Sequence, residues 1–191
     1  MKRCTWADTN EWYIPYHDEE WGVPQHDDIK LFEAMVLDSF QAGLNWLMML
    51  KKRENFRNAF ANYDVKKIAA FGDEDVDRLL QDVGIIRNRQ KITAAINNAQ
   101  RYLEVQKEFG SFDKYIWQFT DHKTIDNAWT TEDQIPANSP LSDEMCKALQ
   151  KRGFKFVGTT ICYAFMQAVG MVNDHTVDCP RYDFVKNYSE K

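Results

Sequence analysis

Residues 151–179, KRGFKFVGTTICYAFMQAVGMVNDHTVDC, decide how the chain is read. They open on a basic turn bracketed by Gly153 and Gly158 and carrying Lys151, Arg152 and Lys155. A helical run over 159–168 follows, and the stretch closes on His175-x-x-x-Cys179. Glycine has no Cβ, so each end of the turn lets a partner come close to the backbone. The turn then delivers free amides onto a helix N-terminus, where the dipole favours an anion such as a DNA phosphate. Glycine turns before helices are also ordinary architecture. On the turn alone, a structural helix-turn-helix in an all-α core is the favoured reading.

Working outward, Ser139-Pro140 is a cap followed by proline at the first helical position, and starts the helix that enters the turn. Upstream, 120–139 reads as a polar loop. Ser111 opens a short helix burying Phe112, Tyr115, Ile116 and Phe119, and a long helix over about 87–109 carries Ile92, Ala95, Ile96, Ala99 and Leu103 on one face. Asp64 and Asp73 read as N-caps of short helices, the second burying Val76, Leu79, Leu80 and Val83. Asp27-Asp28 caps a helix with Leu31, Phe32, Met35 and Val36 at helical spacing, which Gly43 interrupts before a further helix from Asn45 to Phe60. Residues 1–27 read as irregular and aromatic. With no β alternation and no repeat, the predicted class is all-α.

The 191 residues predict one domain, 1–191, or two small helical lobes. An apolar content of 44% with 12 Phe, 8 Tyr and 6 Trp marks a folding chain rather than a disordered one. No apolar run approaches the roughly 20 residues of a membrane span, and no apolar segment backs the N-terminal charges. The expectation is a cytoplasmic protein whose four cysteines are thiols or metal ligands, not disulfides. A net charge of −5 argues mildly against nucleic acid as partner. The charge is uneven, however: Lys147, Lys151, Arg152 and Lys155 gather beside the turn, and a local basic face is adequate for phosphate contacts.

Two constellations carry chemistry. Cys4, His17, His175 and Cys179 offer two thiolates and two imidazoles, a donor set suited to a closed Zn²⁺ site. Their spacing, C-x12-H with H-x3-C, matches no compact finger, and by spacing alone they read as unrelated. Cys146 and Cys162 lie in helical apolar patterns and read as core. Tyr16, Trp46, Trp6 and Trp21 could form a stacking box for a flat ligand, with Asp38 two helical turns before Trp46. Aromatic residues at such spacing are more often core.

Several long motifs then occur in order: YHDEEWGVP (16–24), QAGLNW (41–46), LKKREN (50–55), GIIRNRQKI (84–92) and KRGFKFVGTTICYAFMQAVGMVNDH (151–175). With these the chain resembles the constitutive, class I 3-methyladenine-DNA glycosylases of the helix-hairpin-helix superfamily, from Arg3 to about Cys179. The resemblance implies one structural Zn²⁺ on Cys4, His17, His175 and Cys179. It implies a helix-hairpin-helix over about 141–170 whose hairpin anchors DNA through Lys151, Arg152, Gly153, Lys155, Gly158 and Thr159. It also implies that Tyr16, Trp46 and the residue at 38 handle the base, with Trp6 and Trp21 nearby.

The implied activity is monofunctional hydrolysis of the N-glycosidic bond of 3-methyladenine, on double-stranded DNA containing alkylated bases, by a monomer away from membranes. Thr159 and Thr160 stand where lyase relatives carry lysine, so no Schiff base is expected. Asp174, next to a metal ligand, is read as a hydrogen-bonding support of the zinc site. One position departs: the family has glutamate where this chain has Asp38, and aspartate withdraws the oxygens by roughly 1.5 Å. Two alternatives follow, a glycosylase retuned by Asp38 to another alkylated base and a zinc-stabilised DNA-binding module without catalysis.

Overall fold

The structure, a computed structural model, describes residues 2–188, so the outermost residues of the 1–191 domain read from sequence lie outside it. It is mostly helical. Asp27 accepts from the amides of Ile29 and Lys30, both at 2.9 Å, and starts α2 (Asp28–Gln41). Gly43, at φ +76°, breaks the chain direction, and Asn45 caps α3 (Trp46–Ala59) through the Leu47 amide at 2.7 Å. The short helices α4 (Val65–Ala69) and α5 (Asp73–Gln81) lead to α6 (Arg89–Phe109), the longest, and then to α7 (Phe112–Trp117). Ser139 and Ser142 form a capping box on α8 (Pro140–Lys151), and a turn over 152–158 feeds α9 (Thr159–Ala168).

Leu31, Phe32, Ile92, Ala99, Tyr102, Phe112 and Met166 are fully enclosed in one apolar core built from α2, α3, α6, α7, α8 and α9. Tyr102 stacks on Phe112 at 4.0 Å and meets Phe32 edge-on at 5.1 Å. Each such side chain contributes about 1.5–3 kcal/mol on leaving water. A smaller cluster of Cys4, Tyr16, Trp21, Leu50 and Cys179 packs under Trp6, Tyr13 and Trp46. Gly170, at φ +75°, marks where two distant segments touch, because a Cβ there would meet Val23 C and Pro24 N at 2.4 Å. The Gln25 amide donates to Val169 O, and the Gly22 amide to Gln167 O, both at 3.0 Å across this crossing.

Four expectations are corrected. The N-terminal arm is not wholly irregular, since α1 (Tyr13–Glu19) lies within it and carries Tyr16 and His17. Asp73 is the first residue of α5, whose cap is Gly72, and Val83 lies beyond the helix at 74% exposure. The polar loop holds β1 (Ile125–Asp126), which pairs in parallel with β2 (Val172–Asn173). Asp38 and Trp46 sit on different helices, α2 and α3, so tertiary packing and not helical spacing brings them together. Among the described residues no helix is long and apolar enough to cross a membrane.

Candidate functional site

The aromatic residues singled out in the sequence do converge. Tyr16 from α1, Trp21 just after it, Trp6 from the arm, Asp38 from α2 and Trp46 from α3 line a cavity of about 430 Å³. Gln41, Glu132, Ile135, Ala164 and Gln167 complete it. The rings of Tyr16 and Trp46 stand 5.4 Å apart, those of Trp6 and Trp21 5.1 Å.

Two buried polar atoms in this wall, Asp38 Oδ2 and Trp46 Nε1, have no hydrogen-bond partner among the described residues. Leaving a buried polar group unpaired costs about 1–3 kcal/mol, more for a charged one. No cation pairs with Asp38, and its burial pushes the carboxyl up to about 8. Burial, and next the Asp38 charge, also pushes the Tyr16 phenol well up. Such a cavity is built for a flat ligand that brings positive charge and a donor to Asp38 and an acceptor to Trp46. A larger cavity of about 600 Å³ shares Tyr16 and Trp46. Its buried carboxylate, Glu33, is already held by Arg53 at 2.7 Å and Arg57 at 3.1 Å, so it makes no comparable demand for a ligand.

The four metal-ligand candidates, drawn from both ends of the chain with Cys4 and His175 171 residues apart, also meet. One ligand atom from each of Cys4, His17, His175 and Cys179 lies within 4.8 Å of the others, all four residues buried. Cys179 Sγ is 3.5 Å from His17 Nε2 and 3.7 Å from His175 Nδ1, and Cys4 Sγ is 3.7 Å from His175 Nδ1. A tetrahedral ion with bonds of about 2.0–2.3 Å needs its ligand atoms about 3.3–3.8 Å apart, so the donor set fits a metal such as zinc. The outer ring nitrogens are fixed as well: His17 Nδ1 lies 2.8 Å from Asp18 Oδ1, and His175 Nε2 lies 3.0 Å from Trp21 O. This leaves Nε2 of His17 and Nδ1 of His175 for the metal.

Asp174 does not support these ligands, contrary to the sequence reading. Its oxygens accept from Asn127 (2.7 Å), Trp129 (2.8 Å), Tyr163 (2.9 Å) and Gln167 (2.8 Å), none of them a ligand. Asp18 is the carboxylate that orients a ligand. Its adjacency to His17 was a readable signal that the sequence reading passed over.

In the 152–158 turn the carbonyls are tied from behind. Asn97 donates to Gly153 O at 2.9 Å, Asn98 to Lys155 O at 2.9 Å and Ser39 to Phe156 O at 3.1 Å. Gly153 sits at φ +86°, where glycine is at ease. Among the described residues the amides of Gly158, Thr159 and Thr160, at the start of α9, have no acceptor. Lys151 and Lys155 are exposed beside them. Arg152 is engaged elsewhere: it forks onto Glu108 at 2.8 and 2.9 Å and covers the Phe109 and Tyr115 rings. The Thr159 hydroxyl is likewise taken by Asp143 at 2.5 Å and Ser142 at 2.9 Å.

A helical chain with an aromatic cavity, a carboxyl at its wall and a glycine-bracketed turn before a helix has the features of a candidate binder of planar, electron-poor rings. Comparison with known proteins gives the particular kind. The chain belongs to the methyladenine glycosylase family, which it matches over residues 6–182. It is 52% identical to DNA-3-methyladenine glycosylase 1 of Escherichia coli (strain K12) over 182 residues, 95% of this chain and 97% of that one. With DNA-3-methyladenine glycosylase of Haemophilus influenzae it shares 47% over 178 residues, 93% and 96% of the two chains. A crystal structure of a 3-methyladenine DNA glycosylase I variant in complex with 3-methyladenine superposes with a TM-score of 0.92. It is 32% identical, and the match covers 100% of both chains.

Proposed function

We propose that this protein is a monofunctional DNA glycosylase that removes 3-methyladenine from alkylated double-stranded DNA. The observation that carries it is the pair of unpartnered atoms, Asp38 Oδ2 and Trp46 Nε1, in the wall of an aromatic cavity. Family membership and the 3-methyladenine bound by a neighbour support the same reading.

The chemistry follows from the substrate. An adenine alkylated at N3 carries a positive charge, so its glycosidic bond is already weak. The C1′–N9 bond breaks with its electron pair going to the base, which leaves neutral; a water oxygen bonds to C1′ and its proton goes to solvent. The protein must extrude the base, hold it and read its edge. Over Trp46 and beside Tyr16 the cationic ring gains about 0.5–2 kcal/mol of cation–π attraction. Asp38, protonated while the cavity is empty at neutral pH, ionises when the cation and its exocyclic amine arrive, because both stabilise the charged form.

The turn between α8 and α9 serves as the hairpin of a helix-hairpin-helix over about 141–170. The free amides of Gly158, Thr159 and Thr160 take a phosphate, and Lys151 and Lys155 add charge. Arg152 contributes by holding the turn to α6 and not by direct contact. Zinc on Cys4, His17, His175 and Cys179 ties the N-terminal arm to the C-terminal segment and takes no part in the reaction. The whole chain acts as one domain and as a monomer. With Thr159 and Thr160 in place of a lysine, no Schiff base forms.

Release of free base from alkylated duplex, with chromatographic identification, tests this. Release of 3-methyladenine is expected, and Asp38→Glu is expected to raise its rate. Release of another base would mean a retuned pocket, and DNA binding without release a non-catalytic module.

A further inference from the structure

Resting on the glycosylase reading above, we infer that Gln167 is a second reader of the bound base, with Asp174 fixing which end of its amide the base meets. Gln167 lies on α9 and lines the same cavity as Asp38. Its Nε2 donates to Asp174 Oδ2 at 2.8 Å. Asp174 is 1% exposed, and three further donors hold it in place: Asn127 and Trp129 on Oδ1, Tyr163 on Oδ2. Turning the Gln167 amide over would press its oxygen against Asp174 Oδ2, two acceptors in contact at a buried site. The oxygen is therefore held away from Asp174, and among the described residues no donor meets it.

The cavity thus has a fixed neutral acceptor in addition to the Asp38 carboxyl. Two acceptors match an exocyclic amine, which offers two N–H groups, one to each. A 6-oxo purine would set a carbonyl oxygen against the Gln167 oxygen, which, unlike the Asp38 carboxyl, cannot keep a proton to donate back. The pair selects 6-amino over 6-oxo alkylated purines, and the shortened side chain at 38 makes the second acceptor more necessary. Rejection of a base that leaves such acceptors facing another acceptor amounts to roughly 10- to 100-fold.

The test is the ratio of 3-methyladenine to 3-methylguanine released from one preparation of duplex DNA treated with dimethyl sulfate. A ratio within one sample does not depend on the fraction of protein folded. Gln167→Met removes the acceptor and should narrow the parent's ratio by about 10- to 100-fold. Asp174→Asn, which can donate to Gln167 and free its amide to turn, should narrow it in the same direction. Gln167→Glu keeps an acceptor, driven toward the cavity by Asp174, and should keep the parent's preference. An unchanged ratio in Gln167→Met would overturn the inference, as would loss of preference in Gln167→Glu equal to that in Gln167→Met. A parent that releases neither base would overturn the glycosylase reading itself, and this inference with it.

Discussion

Replacing Asp38 by asparagine should stabilise the protein while disabling it, and the two effects can be measured apart. The folded state raises the Asp38 carboxyl from 3.8 to about 8. Between those values the folded chain keeps a proton that the unfolded chain releases, so stability is full below pH 3.8 and is lost as pH rises toward about 8. Each unit costs about 1.36 kcal/mol, so from pH 5 to pH 7 the parent should lose about 3 kcal/mol that Asp38→Asn does not. Any difference in packing between acid and amide is present at both pH values and cancels. Urea unfolding of both proteins at pH 5, 7 and 8.5 reads the difference directly. The advantage of the variant should widen from pH 5 to about 8 and then level off. Excision of 3-methyladenine should fall in the same variant by about 10- to 150-fold, the effect of a lost charge-assisted hydrogen bond. A stability difference that stays flat across the pH series would refute the assignment of Asp38 as a buried carboxyl without a partner.

The same ionisation predicts that kcat/KM on a cationic lesion rises with pH to a plateau above about 8, since the carboxylate is the form that binds the cation; Asp38→Asn should lack that rise. One equivalent of zinc is expected in protein purified without chelator, and less than half an equivalent would contradict the site. Cys179→Ser should lower the melting temperature far more than it lowers activity measured in the cold, as structural zinc contributes on the order of 10 kcal/mol in small peptides. Gly158→Asp should weaken binding to every duplex sequence alike, because it sets a negative charge at a phosphate site that reads no base; salt titration of parent and variant measures it. Undiminished binding by a folded Gly158→Asp would move the anchor elsewhere.

How much was legible follows from what each signal depends on. Caps and breaks are local, so Asp27, Asn45, Ser111, Ser139 and the run 159–168 were readable from their immediate neighbours. Helix α1 was not, because its turn is crowded with aromatic residues whose partners lie elsewhere, on Trp46 and His175. Position 83 failed for the opposite reason: its apolar side chain fitted a helical period that the chain leaves after Gln81. The metal cluster matches no compact spacing beyond H-x3-C, and only family likeness tied Cys4 to Cys179. Asp174 was misread because adjacency to His175 in sequence says nothing of direction. The carboxylate turns to Tyr163, Gln167, Asn127 and Trp129, none of them a ligand.

The cluster and the cavity are one construction. The His17 ring lies 5.3 Å from that of Trp6, and the His175 ring 4.7 Å from that of Trp21. Tyr16 precedes His17 on α1, so the residue that lines the cavity and the residue that offers a metal ligand move together. Thr5, next to both Cys4 and Trp6, donates its backbone amide and its hydroxyl to Glu132 on the cavity rim. Nothing in the arm's own sequence would hold three bulky aromatic rings apart around an empty space, since apolar rings left to themselves close on one another. At Cys4 and His17 the arm meets a C-terminal segment that Gly170 lets pass close to Val23 and Pro24. A metal held by the cluster, as proposed above, would act on the cavity wall through Trp6, Tyr16 and Trp21, which lie against or next to its ligands.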